Sequence, residues 1–414
     1  MGGKFFNLSG YDVGRTALFV VMIFHALSHG VVDARTPLKK DNDQEKRQNR
    51  AHKFTVKTIE TADGDTIDCV DIYRQPAFDH PSLRNHTIQM QPSTYPTGFK
   101  SASSRHPKLL LQRFKSCPEG TVPILRTKPL GAAGTNAVAR KGRRLYQVNT
   151  PDDSINEERV HHGHEHAIVY LDDGKFYGAQ ADLNVWNPVL EDAKHEMSLG
   201  QIWLLSGQMR TSDLNSVEAG WTVLPSTFGD NQTRLFTFWT NDSYNTGCYN
   251  LLCPGFVQTS TEVSLGGALG PVSTYEGDQY IMSLIIFKDP QSGNWWLTFQ
   301  DRSVGYWPSS LFKGLADSAT VIEWGGEIFN DNPNGMHTAT QMGSGHFSGE
   351  GFKKASFFSN LQYVDGSDVL QHPHALNPFL KAPKCYNIDI GKNKGTNMGS
   401  YFYYGGPGRS PDCP

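Results

Sequence analysis

The amino-acid sequence predicts an all-β protein, in which an antiparallel β-sandwich follows a small β-rich domain. Between residues 166 and 365, short segments rich in β-branched and aromatic residues alternate with turn sequences such as Asp-Asp-Gly and Ser-Gly-Asn. No long amphipathic helical pattern interrupts them, and consecutive strands without crossover helices form antiparallel sheets. All eight tryptophans lie after residue 185, so the two parts of the chain differ in composition and we expect two domains.

Composition limits what the protein can bind. The 414 residues include 38 Lys and Arg and 41 Asp and Glu, so the formal net charge is −3. This near balance excludes a nucleic-acid binder whose affinity depends on the charge of the whole chain. With 38% hydrophobic residues the chain can bury a large core, so we expect folded structure over most of its length.

Residues 1–34 have the form of a secretory signal peptide. Lys4 and Arg15 precede an apolar run at residues 16–27, and small and polar residues follow as far as Ala34. Because the run is short for a membrane span, we expect a cleaved signal, with an uncleaved anchor as the alternative. The expected location is therefore secreted, extracellular or vacuolar, without membrane attachment after cleavage.

The six cysteines are an even number in a chain expected to enter the secretory pathway, which favours disulfides. Cys248 and Cys253 lack the second pair that a zinc site would need, so no metal is expected. We predict three disulfides: Cys69 with Cys117, Cys248 with Cys253, and Cys385 with Cys413. Three sequons predict N-glycosylation at Asn85, Asn231 and Asn241.

The domain expected at residues 35–158 ends in a linker. A charged lead-in at residues 35–52 precedes short apolar alternations, which predict a small β-rich domain. Residues 127–158 contain Gly-Ala-Ala-Gly and a basic cluster at residues 140–144, so we expect an exposed linker where proteolysis occurs. Residues 159–414 form the predicted sandwich domain.

Two glutamates occupy unusual positions inside predicted strands, beside glycine and tryptophan. They are Glu218, in Ser-Val-Glu-Ala-Gly-Trp, and Glu327, in Glu-Trp-Gly-Gly-Glu. Because the faces of a strand alternate, Glu218 shares a face with Gly220, and Glu327 shares one with Gly325. Glycine leaves room for a substrate backbone beside each carboxylate, and apolar surroundings raise the pKa of a carboxyl group.

Two carboxyl groups with different pKa values can catalyse hydrolysis by general acid and base chemistry. One such reaction is hydrolysis of a peptide bond, and the other is cleavage of a glycosidic bond. A further alternative is that the sandwich is a catalytically inactive module that binds carbohydrate or cell walls. The glutamates would then be ordinary strand residues that face solvent.

Seven segments in the second part of the chain carry a specific pattern: SVEAGWTV, TRLFTFWT, TGCYNLLCPGFVQTS, GNWWLTF, VGYWPSSLF, VIEWGGEI and TATQMGSGHF. Together they closely resemble the neprosin family of secreted plant glutamic peptidases. Upstream, DGDTIDCVDIYRQPAFDHPSLRNHTIQ and CPEGTVPILRTK resemble the activation domain of that family. The resemblance implies a zymogen with a β-sandwich fold and no cofactor, whose own activation domain inhibits it. It also implies cleavage of peptide or protein substrates, including proline-rich ones, after proline under acidic conditions.

The resemblance implies a catalytic pair of glutamates and maps it onto Glu218 and Glu327. Glu323 lies on the same predicted strand face as Glu327 and is the rival assignment. One glutamate, ionised, would activate water, and the other, protonated, would donate to the carbonyl oxygen and then to the leaving nitrogen. The sequence does not assign these two roles.

Five other residues are candidates for substrate binding: Gly220, Gly325, Trp221, Trp324 and Gln341. The two tryptophans alternate to the strand face opposite the glutamates, so packing in the core is favoured and lining the pocket is the alternative. The side-chain amide of Gln341 is a candidate oxyanion donor, with a structural role in a turn as the alternative.

Histidines cluster at residues 161–166, in the sequence His-His-Gly-His-Glu-His. A metal site is disfavoured because the cluster lacks the His-Glu-x-x-His spacing that places two ligands on one helix face. A second hypothesis is that protonation at about pH 5–6 loosens the contact between the N-terminal domain and the sandwich.

Overall fold

Two antiparallel β-sheets of seven and nine strands form a sandwich, so the predicted all-β fold class is confirmed. The computed structural model describes residues 53–99, 110–111, 116–126, 163–207, 213–331, 336–391 and 398–414. The predicted signal peptide, the basic cluster at residues 140–144, and His161 and His162 lie outside these ranges. In the described part of the chain, no helix has the length and apolar character needed to cross a membrane.

In chain order the strands are β1 (Thr55–Glu60), β2 (Thr66–Asp71), β3 (Leu110–Leu111), β4 (Thr121–Leu125), β5 (His164–Leu171), β6 (Gly178–Asn184), β7 (Glu196–Ser206), β8 (Asn215–Val223), β9 (Arg234–Thr240), β10 (Cys248–Tyr249), β11 (Val257–Gln258), β12 (Leu269–Gly270), β13 (Ile281–Lys288), β14 (Trp295–Phe299), β15 (Arg302–Trp307), β16 (Val321–Asn330), β17 (Ser356–Val364), β18 (Leu370–Gln371), β19 (Asn377–Leu380), β20 (Asn387–Ile390) and β21 (Phe402–Gly405). The described helices are one α-helical turn, α1 (Pro225–Phe228), and short 3-10 turns at Ile72–Arg74, Pro76–Asp79, Pro81–Leu83, Ser309–Leu311 and Ser348–Glu350.

The seven-stranded sheet has the order β10-β9-β8-β7-β16-β5-β19, and the nine-stranded sheet has the order β11-β15-β14-β13-β6-β17-β21-β20, with β18 paired to β17. A third sheet, β1-β2-β4, comes from the N-terminal residues, and β3 pairs with β12. The strand neighbours are antiparallel, as expected for a chain that joins its strands by turns rather than by crossover helices.

The central strands of the seven-stranded sheet are buried on both faces. All eleven residues of β7 and all nine of β8 are buried. On the inner face, Trp221 and Trp324 are fully buried in the main hydrophobic core between the sheets. On the outer face, a second hydrophobic cluster contains Leu199, Trp203 and Phe238. Polar groups on this outer face are therefore surrounded by apolar side chains.

The N-terminal residues pack along the sandwich. The described residues belong to one compact unit, and Val70 and Val122 of the three-stranded sheet belong to the same hydrophobic core as the sandwich residues. Beyond that sheet, the Gln89 N–H donates to the Tyr306 hydroxyl at 3.0 Å. The predicted small sheet is present, but the expected domain boundary near residue 158 stays a prediction.

All three predicted disulfides are present. Cys69–Cys117 joins β2 to the residues before β4, Cys248–Cys253 closes a short loop that begins at β10, and Cys385–Cys413 holds the C-terminal residues. The described cysteines are all paired in this way. Each bridge joins two cysteines that are consecutive in the sequence, so the order of the cysteines along the chain was sufficient to predict the pairing.

The three sequons differ in accessibility. Asn85 and Asn231 are exposed, so glycosylation at both stays a prediction that the surface allows. Asn241 is half-buried, and its Nδ2 donates to the carbonyl oxygen of Leu311 at 2.9 Å. A glycan on Asn241 would have to disturb this contact.

The buried position of Trp221 predicts a large loss of stability when its side chain is removed. Trp221→Ala leaves a cavity in the core, and we expect the free energy of unfolding to fall by about 3–5 kcal/mol in a urea titration. The matched control is Phe352→Ala, since Phe352 is 48% exposed, and its change should stay within about 0.5 kcal/mol. Equal effects of the two substitutions would contradict this placement.

Candidate active site

Glu218 and Glu327 lie on the same outer face of the seven-stranded sheet, on two strands separated by β7. In the strand register, Glu218 is opposite Trp203 of β7 and Glu327 is opposite Leu199. Residues opposite each other in a sheet point to the same face, and alternate residues of a strand share a face. Gln201 of β7 therefore lies on this face between the rows that hold the two glutamates.

The carboxyl group of Glu218 is buried among neutral hydrogen-bond donors, and the residue is only 4% exposed. Its Oε1 accepts hydrogen bonds from Ser216 Oγ at 2.6 Å and Tyr244 O–H at 2.8 Å, and its Oε2 accepts from Gln201 Nε2 at 3.1 Å. The pKa of Glu218 is raised to about 7, mainly by burial. The three hydrogen bonds act to lower this pKa, and the charge of Glu327 acts to raise it. The electrostatic effect of Glu327 shows that the two carboxyl groups interact.

Basic side chains surround Glu327, in contrast to Glu218. Its Oε1 is hydrogen-bonded to Nδ1 of His164 and lies 3.6 Å from Nε2 of His166. Burial raises the pKa of Glu327, while the charges of His166 and Lys381 lower it. Burial is the largest of these effects, so the pKa of Glu327 is raised overall, and positive charge on Lys381 acts in favour of the ionised carboxylate.

Both histidines come from β5, which pairs with β16. His166 is directly opposite Glu327 in the register, and His164 is opposite Phe329. Burial lowers the pKa of His166 to about 4, although the charge of Glu327 acts against this effect. His164 and His166 therefore lie beside a candidate catalytic carboxylate, and the hypothesis that the cluster responds to pH stays a prediction.

Glu165, between the two described histidines of the cluster, does not face Glu327. Glu165 alternates to the opposite face, where its Oε1 lies 3.0 Å from Nδ1 of His337. His337 also lies close to the sulfurs of Cys385 and Cys413, but these two sulfurs form a disulfide and are not thiolate ligands.

Tyr244 reaches Glu218 from the loop that follows β9. Ser243 and Tyr244 both have positive φ angles, of 58° and 59°, which are unfavourable for residues with a side chain. The Tyr244 N–H donates to Thr240 Oγ1 at 3.2 Å, and its ring stacks on Phe238. Burial and the charge of Glu218 raise the pKa of Tyr244 well above 10, so its hydroxyl remains a hydrogen-bond donor. The unusual backbone conformation of this loop places the Tyr244 hydroxyl group against Glu218.

Glu323, the rival assignment, is also buried on the outer face. It lies opposite Trp203 of β7 on one side and Tyr170 of β5 on the other. Because Trp203 is also opposite Glu218, its indole stands between Glu218 and Glu323 in the same row. The choice of Glu327 over Glu323 stays a prediction, supported by the histidines that contact Glu327 and by its effect on the pKa of Glu218.

The glycines expected to leave room for substrate have a different role in the strands. A Cβ added to Gly220 would lie 2.1 Å from the carbonyl oxygen of Gly200, and one added to Gly325 would lie 2.3 Å from that of Ala167. Gly325 also has a φ of +153°, which disfavours other residues. Both positions require glycine because the neighbouring strand backbones approach closely.

Three other candidates for substrate binding are placed elsewhere. Trp221 and Trp324 face the main core, and Trp221 Nε1 donates to the carbonyl oxygen of Asn184 in the other sheet at 3.1 Å. The alternative in which they line the pocket is therefore wrong, because the sheet itself separates them from the glutamates. Gln341 accepts a hydrogen bond from the Val189 N–H through Oε1 at 3.0 Å, and its own N–H donates to the Val189 carbonyl oxygen at 2.9 Å, so it joins two loops as the structural alternative requires. Its role as an oxyanion donor stays a prediction.

Five residues around the glutamates were missed as site residues in the sequence: Ser216, Gln201, Tyr244, His164 and His166. Ser216 precedes Glu218 by two positions, so strand alternation alone could have placed it on the same face. The other four reach the site through strand pairing or a loop. The cluster at residues 161–166 marks His164 and His166 as unusual, but it does not show that they contact Glu327.

The chain matches two protein-family models and is similar to several solved structures. A family model described as neprosin matches residues 194–407, which is more than half of the chain, and one described as neprosin activation peptide matches residues 58–170. Among solved structures, the chain is similar to scytalido-glutamic peptidase with a peptide-based transition-state analogue. The two share 11% identity with a TM-score of 0.33, over 59% of this chain and 98% of that one.

A second structure of scytalido-glutamic peptidase, with a transition-state analogue inhibitor, shares 10% identity with a TM-score of 0.32 over 58% of this chain and 97% of that one. A β-porphyranase from the human gut bacterium Bacteroides plebeius shares 6% identity with a TM-score of 0.19, over 38% and 53%. The two family matches are the informative ones, because together they extend from residue 58 to residue 407 with a gap only at residues 171–193. The chain therefore belongs to the neprosin family of glutamic peptidases and carries an activation peptide ahead of its neprosin region.

Proposed function

We propose that this protein is the secreted zymogen of an endopeptidase that cleaves after proline at acidic pH, with Glu218 and Glu327 as its catalytic pair. The observation that carries the proposal is the contrast between two buried carboxyl groups on one sheet face. Neutral donors surround Glu218, whereas imidazole groups contact Glu327. Proline preference and secretion rest on the resemblance to the family.

The contrast supports the following division of the two catalytic roles. Glu218, with a pKa of about 7, is protonated at acidic pH and serves as the general acid. Glu327, beside His164 and His166, serves as the ionised general base. Glu327 takes a proton from water, the hydroxide attacks the scissile carbonyl carbon, and Glu218 protonates the carbonyl oxygen. When the tetrahedral intermediate collapses, Glu327 gives the proton that it took from water to the leaving nitrogen, Glu218 regains a proton from a hydroxyl group of the intermediate, and the peptide bond breaks.

Gln201 is a candidate for positioning the attacking water. Its Nε2 holds Glu218, and its Oε1 is buried without a hydrogen-bond partner among the described residues. A buried unpaired acceptor is costly, so an accepted hydrogen bond from water would be favourable at this point. The glutamine lies between the rows of the two glutamates, where the reaction requires that water.

The zymogen part of the proposal concerns residues 58–170. β5 pairs with both β16 and β19, so it is an integral strand of the catalytic sheet. Its removal would take away the two histidines that contact Glu327. We therefore place the maturation cleavage within residues 127–162, before β5.

Acid also acts on the contact between the activation peptide and the sandwich. Burial lowers the pKa of His80, whose ring packs against Trp239, and of His86, which hydrogen-bonds to the Tyr306 hydroxyl. A lowered pKa means that the docked state favours the neutral histidine. The contribution of these histidines to docking of the activation peptide is therefore complete above about pH 6.5 and declines as the pH falls below that value.

The catalytic assignment predicts that each glutamate is indispensable. Glu218→Gln and Glu327→Gln should each lower kcat/KM on a proline-containing peptide by at least about 100-fold at acidic pH, because each removes one proton-transfer group. The matched control is Glu323→Gln, which should retain activity. If Glu323→Gln is inactive and Glu327→Gln is active, the rival assignment is correct. Release of sugar from cell-wall glycans without peptide cleavage would favour a glycosidase instead.

The role of Tyr244 predicts a change in the pH profile. Its hydrogen bond favours the ionised form of Glu218, so Tyr244→Phe should raise the pKa of Glu218 further above 7. Since activity requires protonated Glu218, the alkaline limb of kcat/KM should move to higher pH by about one pH unit. Tyr280→Phe, beside β13 in the other sheet, is the control and should leave this limb in place. A shift to lower pH would oppose the assignment of Glu218 as the acid.

A further inference from the structure

The turn between β1 and β2 contains Asp65, whose side chain contacts Arg234 of the sandwich. The Asp65 N–H donates to Thr61 Oγ1 at 3.0 Å, and the Gly64 N–H donates to the carbonyl oxygen of Thr61 at 3.1 Å. Gly64 has a φ of +82°, as such a turn requires. The turn therefore presents the Asp65 carboxylate in a fixed direction, toward Arg234.

Arg234 is the first residue of β9 and lies on the glutamate face of the sheet. It is opposite Thr222, which lies on the same face of β8 as Glu218 and four residues after it. Its guanidinium packs over the ring of Phe228, which belongs to the outer hydrophobic cluster. Arg234 is only 1% exposed, so each of its hydrogen-bond donors needs a partner in the protein.

The five N–H groups of the Arg234 guanidinium are divided among three partners. Nε and one Nη2 hydrogen point at the carboxylate of Asp230, with Nε 3.2 Å from Oδ1. Nη1 donates to the carbonyl oxygen of Gly266 at 2.8 Å. The remaining edge donates to Asp65 in a bidentate pair, with Nη1 2.8 Å from Oδ2 and Nη2 2.9 Å from Oδ1. This accounts for all five donors.

Asp65 is the partner that belongs to the activation peptide, because residues 58–170 match that family model. Asp230 and Gly266 lie in the neprosin region and remain after maturation. Departure of Asp65 leaves two parallel N–H groups on a guanidinium edge that is held by Asp230 and packed against Phe228. Such an edge has the geometry that binds a carboxylate with two hydrogen bonds. Asp65 itself demonstrates that a carboxylate fits there while Asp230 is in place.

We propose that Arg234 forms a subsite of the mature enzyme for an acidic side chain of the substrate, and that Asp65 occupies this subsite in the zymogen. This inference rests on the proposed peptidase function. Arg234 is four residues along β9 from Phe238, which is opposite Glu218, and this corresponds to about 13 Å along the strand. An extended peptide covers that distance in about four residues, so the acidic residue lies three to five positions from the scissile bond.

The substrate preference of the matured full enzyme tests the subsite. Paired peptides with Asp or Asn at each position three to five residues from the cleaved bond are compared at about pH 5, where a free Asp is ionised. We expect the wild type to favour Asp at one position by about tenfold in kcat/KM. Arg234→Gln should bring the ratio of kcat/KM for the Asp peptide to that for the Asn peptide close to one.

Cleavage of the paired Asp and Asn peptides by the wild-type enzyme tests the subsite even if the Arg234→Gln protein fails to fold. Asp to Asn ratios near one at every position would overturn the subsite while leaving the peptidase function intact. Absence of cleavage of every peptide would instead refute the proposed function. The ratio should also fall toward one as the pH drops below about 4, where the substrate carboxylate is protonated.

The part played by Asp65 is tested in the full-length chain. Asp65→Asn keeps the size of the side chain but weakens the bidentate pair, so acid-induced maturation should become severalfold faster. Asp63→Asn in the same turn is the matched control and should mature at the wild-type rate. Equal rates for the wild type and both variants would show that Asp65 does not hold the activation peptide on Arg234.

Discussion

The burial of two carboxyl groups on one face of a β-sheet is the constraint on which the rest of this site depends. An ionised carboxylate without partners is very unfavourable in an apolar environment, so a buried one either becomes protonated or acquires compensating partners. Glu218 illustrates the first solution and Glu327 the second. For Glu218, the rise in pKa from 4.5 to about 7 corresponds to roughly 3 kcal/mol in favour of the protonated form.

The fold produces this asymmetry through the strands that flank each glutamate. β8 and the loop after β9 supply hydroxyl groups to Glu218, while β5 supplies two imidazoles to Glu327. Gly220 and Gly325 lie in the row of the sheet between the rows that hold the two glutamates. At both glycines the neighbouring strand backbones approach closely. The activation peptide then uses the same outer face, where Leu125 packs on the hydrophobic cluster beside Phe228.

The sequence allowed the strands, the disulfides and the two glutamates to be predicted, because each leaves a local mark. Alternation identifies a strand, and a glutamate within a predicted strand and close to glycine and tryptophan is conspicuous. His164 and His166 could not be assigned, because their proximity to Glu327 arises from pairing of β5 with a strand more than 150 residues later. Tyr244 depends on two positive φ angles in a loop, which nothing in its neighbouring residues announces. For Gly220 and Gly325, only the strand register shows which neighbouring backbone each glycine meets.

The central claim is that Glu218 is protonated while Glu327 is ionised at the acidic pH of the proposed reaction. The most direct measurement is a titration of the carboxyl groups of the activated enzyme by infrared difference spectroscopy, with Glu218→Gln used to identify the signal of Glu218. The account predicts a carboxyl group that loses its proton with an apparent pKa of about 7 in the wild type and is missing in the variant. Deprotonation of Glu218 near the value of an ordinary glutamate, about 4.3, would contradict it.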